Sequence, residues 1–302
     1  MRLVTYDDGS RGPRSGVVVD RPDGPAVLDL ADASGGQLPS DLLLVLERGD
    51  DGLGLARSVA EGDGTATPLT DVTLCAPLRR PPKFLATAGN YQAHIIEGGL
   101  PPVDKTRIVP KLFLKPSTTI IGPDAPVVLP GISETVDWEL ELGVVIGRGG
   151  RDIPLESAMD HVLGYTIIND VSARSMAWGL ADRESTNWDG FFDWLNGKWP
   201  DGFAPIGPWI VTADEIPDPH DLAIELRVND TVRQSGSTAE MLFRTDEIVA
   251  FASRFMTLEP GDMIATGTPA GVGATTKTYL RSGDVMTGTI AGLGTLRTPV
   301  TG

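Results

Sequence analysis

The stretch "VDWELELGVVIG" (residues 136–147) sets three acids, Asp137, Glu139 and Glu141, on alternate positions, with Trp138, Leu140 and Leu142 between them. A period of two describes a strand, so the spacing predicts three carboxylates on one face and the apolar side chains on the other. Same-face neighbours on a strand are only about 7 Å apart, and here they crowd against an apolar run that reads as core. A hard divalent cation would turn their repulsion into attraction, because oxygen ligands suit Mg²⁺, Mn²⁺ and Ca²⁺. Glu139 and Glu141, deeper in the run than Asp137, are the better pair. Asp170 in "GYTIINDVSAR" ends a second apolar strand and is costly to bury without a partner. Zinc is disfavoured, since the chain offers only His94, His161 and His220 and one cysteine, Cys75. Spacing alone leaves a second reading open, an exposed sheet face neutralised by Arg or Lys.

Three further stretches carry chemistry of other kinds. "GNYQAHIIEGG" (89–99) places His94 and Glu97 three residues apart after Asn90, a candidate helix N-cap. On a helix the two side chains meet, and a carboxylate on one ring nitrogen leaves the other free to take a proton from water. An ordinary surface pair has the same spacing. "NGKWPDGFAPIGPW" (196–209) holds a single lysine, Lys198, among Gly, Pro and aromatic residues, suited to an oxyanion or simply to solvent. "ATGTPAGVG" (265–273) matches neither a P-loop nor a dinucleotide fingerprint, but its N–H groups and Thr268 suit a carboxylate; a plain tight turn is the alternative. There is no Gly-x-Ser-x-Gly elbow for a serine hydrolase.

The elements that must position these residues are mostly strands. In 302 residues, 36 Gly and 24 Pro separate short runs rich in Val, Ile, Thr and Leu. Residues 1–75 read as a small N-terminal α/β domain with one helix near Ser40–Ala60, capped by Ser40. The Pro-rich, basic "APLRRPPK" (76–83) marks the entry to a β-rich α+β domain over 76–302, with helical pieces near 90–98, 154–162, 172–181 and 238–257. A formal charge of −16 and a pI near 4.5 argue against nucleic acid and anionic membranes. They also mean that an anionic ligand needs a local cationic site. With one cysteine, no signal-peptide core and no membrane-span pattern, a cytoplasmic protein is the expectation.

Taken together and in order, "NYQAHIIE", "FLKPSTTIIGP", "WELELGVVIG", "GYTIINDVSAR", "GKWPDGFAPIGPW" and "ATGTPAGVG" resemble the fumarylacetoacetate hydrolase family, as does the closing "SGDVMTGTIAGLGTLRTPV". The resemblance covers Phe84 to the end; residues 1–75 resemble that family's variable N-terminal piece more loosely. It implies a mixed β-roll, usually dimeric, and a Mg²⁺ or Mn²⁺ ion (with Ca²⁺ an acceptable occupant in crystals) held by Glu139, Glu141 and Asp170. Asp137 is then left behind the ligands or in solvent. The resemblance also implies a His94–Glu97 water-activating dyad on a lid, Lys198 as the active-site lysine, and Tyr91, Arg174 and Thr268 as substrate-binding residues. The implied partner is a small 2-oxo or diketo acid.

The implied chemistry is hydrolytic C–C cleavage of an acylpyruvate-like acid through a metal-bound enolate. The same site suits decarboxylation or isomerisation and tautomerisation of 2-oxo acids; the intact His–Glu pair favours the hydrolase. A non-catalytic metal-binding scaffold is the rival from another class. One departure stands out: "SMAWGLADRESTNWDGFFDWLNGKW" is long, and Trp178, Trp188, Trp194 and Trp199 account for four of the six tryptophans. It suits a pocket for the distal part of a substrate, a dimer contact, or a core anchor.

Overall fold

A computed structural model describes residues 1–302. At its centre three strands, Leu140–Ile146, Val162–Asn169 and Ala204–Thr212, run antiparallel. Met263–Ala265 extends this sheet on one side, followed by Phe84–Ala88 in parallel and Lys111–Leu114 at the edge. On the other side Arg2–Asp7 pairs with Ala204–Thr212, placing Leu3 opposite Ile210, and Arg14–Arg21 and Gly24–Asp29 follow. A second, five-stranded sheet contains Ala223–Val228, Val285–Ile290 and Gly294–Thr301. This is an α+β fold dominated by mixed β-structure.

The central strands are covered on both faces, which is why they read as unbroken apolar runs. Leu140, Leu142 and Val144 pack with Leu226, Met286 and Ile290 of the second sheet. Val145, Leu163 and Ile168 pack in a different cluster, together with Leu3, Leu28 and Leu42. The sheet and this cluster both run across residue 76, the boundary expected from the Pro-rich segment. No helix is long and apolar enough to cross a membrane.

Local details depart from the sequence reading where side chains compete with the backbone. The acidic strand is broken into Val136–Asp137 and Leu140–Ile146. At the break the N–H of Glu139 donates to Asn169 Oδ1 and that of Leu140 to Gln234 Oε1. The 40–60 helix is two helices, Leu42–Leu46 and Gly49–Glu61, the first capped by Asp41 rather than Ser40. Asn90 caps nothing; its amide is spent elsewhere, and Gln92–Glu97 starts after Tyr91. Near 154–162 the chain forms the 3₁₀ helix Leu155–His161. The helix expected over 172–181 is absent, and the helix of the Trp-rich segment is Asp189–Asn196.

Candidate active site

Antiparallel register brings the acids together. Leu140 stands opposite Asn169, so Glu139 and Asp170 meet where the two strands end, and Asp170 N–H donates to Glu139 O at 2.7 Å. Carboxylate oxygens of Glu139, Glu141 and Asp170 lie within 4.8 Å of one another, and all three residues are buried. Asp137 is not solvated: it is fully buried, accepting from Arg174 Nε at 2.7 Å and from Ala274 N–H at 2.7 Å.

Three cations are packed into this bed. Arg174 Nη2 donates to Glu139 Oε1 at 2.6 Å, and Lys198 Nζ bridges Glu139 Oε2 at 2.7 Å and Asp170 Oδ2 at 2.8 Å. Lys115, the second lysine of "KLFLK", is as buried as Lys198 and donates to Asp170 Oδ1 and to Phe203 O. Lys115 was not singled out by the sequence reading. A lysine closing an apolar strand just before Pro116 was its only signal.

The accounting leaves one acid alone. Four carboxylates (Asp137, Glu139, Glu141, Asp170) face three cations (Lys115, Arg174, Lys198), and none of the cations touches Glu141. Its one hydrogen bond comes from Gly267 N–H at 2.6 Å. Burial, then the charges of Asp170 and Glu139, hold its carboxyl well above the ordinary range. By contrast, burial alone would raise Glu139, but Lys198 and Arg174 outweigh it and hold its carboxyl below the ordinary range. A buried oxygen-only cluster with one uncompensated acid fits a hard divalent cation, and oxygens already accepting one hydrogen bond keep a second lone pair for it.

Across the cavity stands the dyad. His94 Nδ1 lies 2.8 Å from Glu97 Oε1, while Glu97 Oε2 accepts from Gly271 N–H at 2.8 Å and Thr275 Oγ1 at 3.2 Å. Burial pushes the Glu97 carboxyl up, but His94 and the Gly271 N–H outweigh it and the net shift is downward. An ionised Glu97 only accepts, so the proton sits on Nδ1 and Nε2 is the free base. Asn90 anchors the helix start: Nδ2 donates to Phe243 O and Thr266 O, and Oδ1 accepts from Phe243 N–H.

One cavity of about 360 Å³ joins both sides, lined by His94, Glu139, Glu141, Asp170, Arg174 and Lys198, with Thr268 also in the wall. Thr268 Oγ1 donates to Leu140 O and accepts from Gln234, so its hydroxyl is already engaged. Tyr91 is not in the wall. It is fully buried in the core, its hydroxyl has no partner, and burial and the Glu141 charge raise its pKa. Of the aromatic segment only Trp194 reaches the cavity, edge-to-face on Phe113 at 5.0 Å; Trp178 and Trp188 are exposed.

Residues 83–301 match the model of the fumarylacetoacetate (FAA) hydrolase C-terminal family. A mitochondrial oxaloacetate tautomerase of Xenopus laevis is 40% identical over 303 residues, covering 99% of this chain and 90% of its own. The structure of a maleylpyruvate hydrolase from Sphingobium sp. SYK-6, solved with manganese(II) and pyruvate, superposes with a TM-score of 0.77 at 32% identity, covering 100% of this chain and 99% of its own. A 5-carboxymethyl-2-hydroxymuconate delta-isomerase from Mycobacterium smegmatis gives 0.73 at 35%, covering 100% and 98%. Among these relatives tautomerase and isomerase chemistry is better represented than the C–C hydrolysis that the His–Glu pair suggested. With its family match, its full-length relatives and its fold in agreement, this chain belongs to the fumarylacetoacetate hydrolase family.

Proposed function

We propose that this protein is a divalent-metal-dependent tautomerase or isomerase of a small 2-oxo acid, moving a proton between C3 and the C2 oxygen of an oxaloacetate-like substrate. The observation that carries the reading is the match along 99% of the chain to an oxaloacetate tautomerase, with a general base facing a carboxylate bed. Mg²⁺ or Mn²⁺ is the proposed ion, with Glu139, Glu141 and Asp170 as the residues that would hold it. When bound, such an ion supplies positive charge for the substrate's carboxylate and 2-oxo oxygens.

The chain's own groups then account for the proton transfer. His94 Nε2 takes the proton from C3, and Glu97 steadies the ring as it becomes cationic. Lys198, held between Glu139 and Asp170, sets its positive charge toward the developing charge on the C2 oxygen, and the proton taken up by His94 is the one returned to that oxygen, so both groups end as they began. Arg174 fixes Glu139 and lends its remaining edge to the substrate carboxylate. The aromatic pair Phe113 and Trp194 keeps water from the lysine; each ring centre lies 5.8 Å from Lys198 Nζ.

Hydrolysis is the second reading, favoured by the intact dyad and by the maleylpyruvate hydrolase likeness. In that case His94 activates water rather than taking the C3 proton. Following the enol absorbance of oxaloacetate with and without chelator, beside a panel of acylpyruvates, tests both. Metal-dependent loss of the enol signal supports the tautomerase; cleavage of acylpyruvates with no effect on the enol would replace it with the hydrolase. We also propose a homodimer in the cytoplasm, to be checked by light scattering and by the location of a fluorescent fusion.

A further inference from the structure

We propose that Lys111 binds the far carboxylate of the substrate, so that the ligand class of this cavity is a 2-oxo dicarboxylate rather than an acylpyruvate with a neutral tail. The inference rests on the 2-oxo-acid reading above and adds to it the residue that selects the substrate's other end. Three lysine or arginine side chains line the cavity: Arg174, Lys198 and Lys111. Arg174 is held by Asp137 and Glu139, which leaves it one edge for the near carboxylate, and Lys198 is held by Glu139 and Asp170. Lys111 is exposed at the rim and makes no ion pair within the chain, although the chain carries 41 acidic residues. It is the cation of the wall that the fold itself leaves unused.

Its place on the strand gives it that direction. Lys111–Leu114 is an edge strand, where side chains alternate between faces, so Lys111 shares a face with Phe113 and, one step further, with Lys115. From the bottom of the cavity outward this face presents Lys115 on Asp170, then Phe113 against Lys198, then Lys111. Phe113 and Lys111 are about 7 Å apart along the strand, an interval that a flexible lysine stem spans easily. Lys111 also pairs in register with Ala88, one residue before the turn at Gly89 into the dyad helix. Lys111 is thereby in the wall of the same cavity as His94 and the carboxylate bed, within reach of the free end of a ligand lying between them. The side chains of Leu100, Pro101 and Val103 in the same wall are apolar and offer a carboxylate no charge.

Oxaloacetate and its C4 methyl ester share the 2-oxo acid and the C3 proton but differ in the distal charge. Binding of each to the Mg²⁺-loaded protein can be read by quenching of tryptophan fluorescence, since Trp194 sits in the wall, with turnover followed in parallel. The expected result is tighter binding of oxaloacetate than of the ester by the unmodified protein. Lys111→Met raises the Kd for oxaloacetate about fivefold, with the loss in KM rather than kcat, leaves the ester's Kd in place, and is rescued by Lys111→Arg. Equal binding of the two ligands, or equal weakening of both by Lys111→Met, overturns the proposal while leaving the tautomerase reading intact. Lys111-dependent binding of oxaloacetate without turnover supports the proposal and removes the tautomerase reading instead. If neither ligand binds, both fall.

Discussion

The carboxylate bed and the dyad helix face each other across one cavity, but they are built differently. The bed is carried by strand ends in the middle of the large sheet, and its acids and lysines are almost wholly out of solvent. The dyad rides on a six-residue helix, Gln92–Glu97, with 21% and 17% of the His94 and Glu97 side chains exposed. That helix is held by a few named hydrogen bonds, those of Asn90 at its start and of Glu97 to Gly271 and Thr275. The ion-paired part of the bed, Glu139 and Asp170 with their cations, cannot be altered without disturbing the fold, whereas the helix can be altered with the fold intact. Mutations in the two places should therefore register in different measurements.

The largest effects sharpen this contrast. Asp170→Asn removes the only ion pair of buried Lys115 and leaves Lys198 with Glu139 alone. Breaking buried pairs of this kind costs about 3–5 kcal/mol, so urea unfolding should show a correspondingly lower stability. His94→Ala should leave unfolding within about 1 kcal/mol of the unmodified protein yet lower kcat by about 10² to 10⁴-fold, the range for a lost general base. If Asp170→Asn were neutral for stability, or His94→Ala unfolded the chain, the division between bed and helix would break.

A smaller effect is expected where the two sides are tied together. The segment 271–275 touches both: Gly271 donates to Glu97 while its carbonyl accepts from Trp138 Nε1 at 3.0 Å, and Ala274 donates to Asp137. Thr275→Val removes one hydrogen bond from Glu97, worth about 1 kcal/mol, and should lower kcat about fivefold with KM and melting temperature little changed. Thr275→Ser should restore it.

The smallest effect concerns pH. Because the Glu97 carboxyl is held below its ordinary value in the folded chain, its tie contributes stability above the unfolded carboxyl range, near pH 4.5, and that contribution is lost as pH falls through the lower folded value. The difference in melting temperature between the unmodified protein and Glu97→Gln should shrink as the pH falls below 5. A difference that grew in acid would reverse the sign argued here.

Much of this site was legible in the sequence because its residues sit on periodic elements. The alternation of 136–147 and the lone acid after "GYTIIN" located Glu139, Glu141 and Asp170, and register brought them together. The spacing of three located His94 against Glu97. What was not legible depends on partners distant in the chain. Asn169 and Gln234 capture the N–H groups of Glu139 and Leu140 and so interrupt a strand that alternation predicts as continuous. Lys115 becomes part of the bed only through Asp170, 55 residues away. Asn90 looks like a cap locally but is drawn off by Phe243 and Thr266. Asp137 is expected behind the ligands or in solvent, and Arg174 and Ala274 decide for the first by enclosing it.

Glu139, Glu141 and Asp170 are proposed as a divalent-cation site in which Glu141 is the acid the protein leaves uncompensated. Thermal unfolding of the unmodified chain and of Glu141→Gln, each with chelator and with saturating Mn²⁺, tests it most directly. Mn²⁺ should raise the melting temperature of the unmodified chain by several degrees, since ligand at a hundred times its Kd adds about 2.7 kcal/mol. Glu141→Gln should be at least as stable as the unmodified chain in chelator and respond little to Mn²⁺. An unmodified chain indifferent to Mn²⁺, or a Glu141→Gln variant with the full metal response, would contradict the claim.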